Sequence, residues 1–358
     1  MILFIADFPT EKTIKEGMSQ RVSVIDKHFE SKERIYLRVS HRFYFKKEIL
    51  KFEKNVVQYH CNLFLHFFFI LKLLKKSDLI YFHSILNAFT ILPFFSFIRN
   101  KKTVLDVHGV VPEEQLLNNN KTKAKWYNYT EKKIFKFLDY AIVVTKRMES
   151  FYINKYPVES ANTKYIVFPI IPKHIISEGN SNYKLIAPKR DENNKIINVI
   201  YSGNTQKWQN VDEMIETIKN NLSEKINYTI LTGEVEIFKT KFKNANLPID
   251  NSKITILSVD PKELKEYYEK ANYGFVLRDD IEVNNVACPT KLIEYLYYGI
   301  TPIIKSEKIG DFNDLGFEYI KVSDFDINKL VNDKSEVNVG IAKSIISSSL
   351  INIKDYLS

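Results

Sequence analysis

Thirteen short apolar runs, each followed by a stretch long enough for a helix or a loop, recur along almost the whole chain. Seven lie in the first half: Ile2–Ala6, Arg34–Val39, Asn55–Tyr59, Leu79–His83, Thr103–Val107, Tyr140–Val144 and Tyr165–Phe168. Six follow: Ile196–Ser202, Tyr228–Thr232, Lys253–Leu257, Tyr273–Leu277, Ile300–Ile304 and Tyr319–Val322. Most read as continuous apolar segments, without strict alternation. Strands covered on both faces by helices have that pattern, so the chain is expected to form parallel α/β sheets. Between Ile175 and Lys195 the pattern lapses into Ser-Glu-Gly-Asn-Ser-Asn and Pro-Lys-Arg-Asp-Glu-Asn-Asn, a polar, turn-rich linker. A length of 358 residues suits two such units. The expected organisation is therefore two Rossmann-like domains, residues 1–177 and 195–339, facing a central cleft. Residues 340–358 read as a helix that packs back on the first domain. Ligands of open α/β sheets bind beyond the carboxyl ends of the strands, which directs attention to the loops there.

Composition narrows the function classes. Only two cysteines are present, Cys61 and Cys288, outside any zinc or redox spacing, so a metal centre or a disulfide scaffold is not expected. The opening Met1-Ile-Leu-Phe-Ile-Ala-Asp lacks a basic leader and a cleavage signature, and a cytoplasmic location is expected. Charge is divided unevenly. Residues 1–178 hold 29 Lys and Arg against 17 Asp and Glu, whereas the remainder holds 23 against 26. The basic residues are scattered or in short groups such as Lys46-Lys47, Lys75-Lys76 and Lys132-Lys133, with no nucleic-acid module. An anionic acceptor or an anionic membrane surface is the expected partner, and nucleic acid is not.

Two stretches in the basic half are unusually apolar: Leu63–Leu74, with Phe64, Phe67, Phe68 and Phe69, and Phe89–Ile98, with Phe94, Phe95 and Phe97. Both fall short of the roughly 20 apolar residues of a spanning helix. They suit buried packing helices, or helices with one face in the interface of an anionic bilayer, flanked by Lys72, Lys75, Lys76, Arg99, Lys101 and Lys102.

The richest segment chemically is Cys288-Pro-Thr-Lys-Leu-Ile-Glu-Tyr-Leu-Tyr-Tyr-Gly-Ile-Thr-Pro-Ile-Ile. Pro289 stands where a helix would start and Gly299 where it would stop, predicting about three helical turns before a buried strand. Leu292, Ile293 and Leu296 fall on a packing face, and Lys291, Glu294, Tyr295 and Tyr298 on another. A helix N-terminus attracts anions, and Lys291 in its first turn would add to that field, so phosphate is the natural ligand. A capped surface helix with an exposed lysine would give the same spacing.

Other loops supply further candidates. Tyr201-Ser-Gly-Asn-Thr-Gln-Lys follows a strand, with Gly203 permitting close backbone approach and Asn204, Thr205 and Lys207 as hydrogen-bonding groups, although a simple turn has the same composition. No Gly-x-Gly-x-x-Gly occurs, which excludes the usual nicotinamide fingerprint. Arg278 leads from a strand toward Lys291, and the two cations could neutralise a diphosphate. Asp279, Asp280 and Glu282 offer metal-ligand chemistry but suit an acidic solvent loop better. In the first half, Asp106-Val-His-Gly puts His108 and Gly109 at a strand's carboxyl edge, where a histidine can bind a hydroxyl or stay structural. Glu113 and Glu114 suit the first turn of the next helix. Gly17-Met-Ser-Gln-Arg, ending at Arg21, can line a cleft or open a helix.

The ensemble resembles a GT-B glycosyltransferase, most similar to glycosyltransferase family four, over nearly the whole chain. The likeness rests on Tyr201–Asp212 as the glycine loop, on Leu277–Pro302 with its Pro-Thr-Lys, Glu-Tyr-Leu and Gly-x-x-Pro pieces, and on Asp106-Val-His-Gly with Pro112-Glu-Glu. The resemblance implies transfer of a sugar, hexosyl or N-acetylhexosaminyl, from a nucleotide-diphosphate donor with retention of configuration and without a metal or other cofactor. The acceptor it implies is a glycan or lipid-linked glycan of bacterial surface polysaccharide, capsule or lipopolysaccharide, met by a cytoplasmic enzyme at the inner face of the membrane. It places Gly203, Asn204, Thr205, Lys207, Arg278, Pro289, Thr290, Lys291 and Glu294 around the donor, with Lys291 on the diphosphate and Glu294 on the ribose. His108 touches the transferred sugar as the catalytic residue, and Gly17, Arg21, His83, Gly109 and Glu113 lie on the acceptor side. Val286 stands where the family has the first of two glutamates, with Asn284 and Asn285 as neighbours able to replace it. Asn204 and Gln209 stand where it has arginine and lysine, with Lys207 nearby. The same architecture also serves sugar-nucleotide epimerases and non-catalytic nucleotide-sugar-binding partners of membrane transferases.

Overall fold

A computed structural model describes residues 1–13, 17–172, 174–175, 196–249, 253–260, 263–349 and 353–357. The chain divides into two compact units, Met1–Pro169 with Leu350–Ser358, and Ile170–Ser349. Each is built around its own sheet. In the first unit the strands are β1 (Ile2–Ile5), β2 (Arg34–Ser40), β3 (Glu48–Glu53), β4 (Val56–Asn62), β5 (Leu79–His83), β6 (Lys102–Val107), β7 (Tyr140–Val143) and β8 (Lys164–Val167), in the order β3-β4-β2-β1-β5-β6-β7-β8. The second sheet contains β9 (Ile197–Ser202), β10 (Ile226–Leu231), β11 (Ile254–Leu257), β12 (Tyr273–Val276), β13 (Thr301–Ile304) and β14 (Ile320–Lys321), in the order β11-β10-β9-β12-β13-β14. All pairs are parallel except β3 with β4.

Most of the parallel strands are largely apolar because both faces are covered. β1, β5 and β12 are fully buried along their length. In the first core Phe4 stacks on Tyr36 at 4.7 Å between ring centroids and meets Tyr81, with Val22 and Ile25 from helix Gly17–Lys27 above them. In the second, Val211, Met214, Ile215 and Ile218 of helix Val211–Asn220 cover Tyr201, Tyr228 and Ile230.

Both sheets reverse their winding direction beside their first strand. β1 lies between β2 and β5, and β9 between β10 and β12. At such a switch point the loops leaving the two strands diverge to opposite faces and open a crevice above the carboxyl ends. His83 follows from this placement in the first unit, and Gly203 and Arg278 in the second.

The structure departs from the sequence reading in five places. β3 is a fourteenth strand, antiparallel to β4 through a turn at Lys54-Asn55, and every residue along it is exposed. The helix expected over Leu63–Leu74 begins only at Phe67, and that expected over Phe89–Ile98 is a 3₁₀ segment, Leu92–Phe97, with Pro93 in its first turn. The division between the units falls at Pro169, and most of the polar stretch 175–195 lies outside the described residues. The terminal helical region is split: Glu336–Ser349 belongs to the second unit, and only the residues after it belong to the first.

Candidate functional site

In the second unit the crevice at the β9–β12 switch point is organised by helix Thr290–Tyr297. Pro289 is its N-cap and contributes no side-chain hydrogen bond, and Gly299 ends it at φ +67°, a left-handed conformation that glycine adopts without strain. The helix runs eight residues, shorter than expected, and both of its faces are buried. Tyr295 is a packing residue and not a binding one. Its ring lies against the Cα of Gly274 on β12, and its hydroxyl accepts from the Ser202 N–H at 3.1 Å.

Lys291 is buried, 7% exposed, which removes the reading of a solvated surface lysine. Its ammonium donates to Gln209 Oε1 at 2.8 Å and stands 4.2 Å from the centroid of the Tyr201 ring. Burial first, and then the nearby Arg278 guanidinium, push its proton affinity well down, opposed by Glu294. Arg278 donates to Asn284 Oδ1 at 3.0 Å, while its Nε is buried without a hydrogen-bond partner. Burial brings its pKa down to about 10. Among the described residues the partners of both cations are neutral amides. The buried Lys291 and the half-buried Arg278, neither bonded to a carboxylate among the described residues, can together hold a multiply charged anion.

Gly203 lies beside them. A Cβ there would approach the Tyr201 hydroxyl to 2.9 Å and Lys291 Nζ to 3.5 Å, so only glycine leaves this space open. The Tyr201 hydroxyl donates to the Asn204 carbonyl at 2.6 Å, and the Thr205 N–H donates to Glu234 at 2.7 Å, which fix the loop. Thr290 is exposed at the helix N-terminus. Lys207 is exposed, and the buried Gln209 reaches Lys291 instead.

Glu294, one turn along from Lys291, accepts from the Tyr268 hydroxyl at 3.0 Å, and that hydroxyl lies 2.8 Å from Ser202 Oγ. Burial raises its pKa to about 7 against the opposing effects of the Tyr268 hydrogen bond and Lys291. His174 Nε2 stands 3.6 Å from its other oxygen, a neighbour that no sequence motif singles out. Val286 is buried and apolar, and Asn284 is occupied by Arg278 and by the Asp279 carbonyl. Asp279 and Asp280 are each paired with a lysine, Lys305 at 2.8 Å and Lys308 at 2.7 Å, as surface ion pairs.

In the first unit a buried polar cluster occupies the carboxyl ends of β5 and β6. Asp106 is fully buried and receives one edge of the Arg21 guanidinium, Nη2 at 2.9 Å and Nε at 3.0 Å, and the Tyr81 hydroxyl at 2.6 Å. Burial opposes its ionisation. The Arg21 charge and hydrogen bonds from His83 and Arg21 outweigh burial and hold the carboxyl well below the usual range. Arg21 also donates to the Phe168 carbonyl at 2.9 Å and packs over the Phe168 ring. With 2% exposure, Arg21 anchors Asp106 and the end of β8 to the first helix.

His83 and His108 stack with ring centroids 4.6 Å apart, and each has one buried ring nitrogen without a partner, Nε2 and Nδ1 respectively. Burial, and then His83, lower the His108 pKa to about 3, so its imidazole stays neutral. These rings can exchange hydrogen bonds with hydroxyls. Asp106 and the two histidines are close enough to share an ion, but Arg21 and Tyr81 already occupy the carboxylate. Gly109 packs against the Glu114 side chain, and Gly17, at the start of its helix, has open space around it. Glu113 is set apart: it pairs with Lys155 at 2.7 Å, which also bonds the buried Glu131 at 2.8 Å.

No family model and no curated protein matches the sequence. Solved structures do match over 99% of the chain. HepE of Anabaena in complex with UDP-glucose superposes with a TM-score of 0.61 at 12% identity, covering 96% of that chain. Sucrose-phosphate synthase from Thermosynechococcus elongatus gives 0.60 at 13%, also with 96% covered. An α,α-trehalose-phosphate synthase (UDP-forming) from Burkholderia vietnamiensis gives 0.54 at 12%, with 93% covered. At such identities the likeness is one of fold. That fold is GT-B, two Rossmann-like α/β units in one chain.

Proposed function

We propose that this chain is a retaining glycosyltransferase that moves a sugar from a nucleotide-diphosphate donor to a glycan or lipid-linked glycan. The observation that carries the reading is the buried Lys291 and the half-buried Arg278 beside Gly203 at the switch point of the second sheet. Leaving-group departure from the anomeric carbon develops negative charge on the diphosphate. Fixed cations and helix N–H groups in a dry site stabilise that charge more than they stabilise the bound donor. Glu294 beside them would accept the ribose hydroxyls, and His108 and His83 in the first unit would bind sugar hydroxyls. The fold supports the same reading, since HepE is described with UDP-glucose and trehalose-6-phosphate synthase with transfer by retention. UDP-sugars are therefore the first donors to try.

Thermal stabilisation against nucleotide diphosphates and their sugars tests the reading, because a ligand bound only to the folded chain raises the midpoint. One donor family is expected to shift it selectively. Lys291→Ala should abolish the shift and lower transfer more than a hundredfold, about 3 kcal/mol of lost charge stabilisation. Near-normal turnover in that variant would overturn the assignment. Val286, apolar and buried where the family resemblance puts a glutamate, favours one second reading: a partner subunit that binds the nucleotide sugar but does not transfer it. A nucleotide shift without turnover on any acceptor would select it.

A further inference from the structure

The turn before helix Phe67–Lys76 projects apolar side chains into solvent. Phe64 is 70% exposed and Phe68 82%, with Leu65 exposed between them. Phe43 joins them from the loop that follows β2. A single residue makes these neighbours: the Asn62 side chain donates to the Phe43 carbonyl at 3.0 Å and accepts from the Phe64 N–H at 3.0 Å and the Leu65 N–H at 3.2 Å. Exposed aromatics held at a fixed turn are costly in water and call for an apolar partner.

The charge around the patch limits what that partner is. Residues 35–47 and 61–77 contain no Asp or Glu, and they carry Arg38, which pairs with Asp7 at 3.1 Å, and Arg42, Lys46, Lys47, Lys72, Lys75 and Lys76. Lys72, Lys75 and Lys76 line a shallow depression together with Phe68 and Leu71. Lys47 stands 4.1 Å over the Phe69 ring. The helix runs only ten residues, and among the described residues no helix is long and apolar enough to cross a bilayer. A short helix with protruding aromatics and a lysine-bearing flank fits a surface that is apolar inside and anionic at its face.

We infer that this turn and helix dock the chain on an anionic lipid bilayer, the phenyl rings entering the interface and the lysines meeting lipid phosphates. The patch lies at the carboxyl end of β4, the same sheet edge as His83 and His108. Three strand spacings separate β4 from β5, roughly 14 Å. Docking there would hold the histidine pair close to the membrane plane.

Cosedimentation of the full chain with vesicles tests this, comparing phosphatidylcholine alone with phosphatidylcholine plus phosphatidylglycerol. Binding is expected only to the anionic vesicles and should weaken with salt. Phe64→Ser/Phe68→Ser should lose at least tenfold in partitioning with the charge unchanged. Lys72→Gln/Lys75→Gln/Lys76→Gln should lose on the order of a hundredfold, about fivefold per lysine. All these side chains are on the surface, so unchanged circular dichroism and melting midpoint would establish that the variants fold. Equal binding to both vesicle types, no binding, or retention by both variants would overturn the inference. So would a concentration-dependent dimer, seen by sedimentation velocity and lost in the double phenylalanine variant, because the patch would then be covered by a second copy. None of these outcomes bears on nucleotide binding by the second unit.

Discussion

At the residue scale, the carboxyl of Glu294 sets the pH behaviour of the second-unit site. Burial raises its pKa from an ordinary 4.5 to about 7. Between these values the folded chain binds more protons at this position than the unfolded chain does. Stability from this group therefore falls as pH rises, and the full penalty, on the order of 3 kcal/mol, is present above pH 7 and absent below about pH 4.5. Glu294→Gln removes the titration. Relative to the parent, the variant should gain stability between about pH 5 and pH 8, read from urea midpoints at each pH. A constant difference would mean that the carboxyl ionises at its ordinary pKa. The lysine and glutamate were legible because they share one helical face with a Pro–Gly frame. The partners of Gln209 and Arg21 were not. Gln209 holds Lys291 across 82 positions, and Arg21 is fixed by Asp106 across 85, and no local pattern encodes a partner so far away.

Among the elements, most of the thirteen strands found from the sequence are largely buried, and their apolar runs need no knowledge of neighbours. β3 escaped because it lies at a sheet edge with every side chain exposed, and its pairing depends on a hairpin turn without a glycine signal. Helix Thr290–Tyr297 shows the limit of periodicity in the other direction. Its spacing separates two faces, but β12 has a glycine at position 274 that lets the second face sink in, placing Tyr295 flat on the backbone. A methyl group on residue 274 would overlap that ring. Gly274→Ala should therefore lift the helix from the sheet, cost about 1–3 kcal/mol, and weaken nucleotide binding through Ser202 and Lys291. Gly233→Ala, with nothing near its Cβ, is the control. Equal melting midpoints for the two variants would show that the tyrosine has room to move.

For the whole molecule, the sequence conveyed two α/β units because two sets of buried strands flank a polar stretch, but it misplaced the chain's return. Helix Glu336–Ser349 stays with the second unit, packing Asn338 under Ile300 and Glu318, whose carbonyls it bonds at 3.4 Å and 3.0 Å. Beyond it, among the described residues, Ile353 and Leu357 enter the first core, beside Ile2, Phe4 and Val22. Continuous helical composition across this region hid the break, since neither part has a proline or a strong apolar stripe to separate it. Segment 353–357 thus links the stability of the first unit to the far end of the chain. Ile353→Ala removes a fully buried side chain and should lower the stability of the first unit by about 2–5 kcal/mol, a large share of what a domain of this size has. The two tryptophans allow the units to be followed separately, since Trp126 lies in the first and Trp208 in the second. With Trp208→Phe as background, fluorescence should show the Ile353→Ala transition moved to lower denaturant. With Trp126→Phe as background, the transition and its nucleotide-dependent shift should stay where they were. Equal movement of both signals would mean that the two units unfold as one. No movement in either would place Ile353 outside the core.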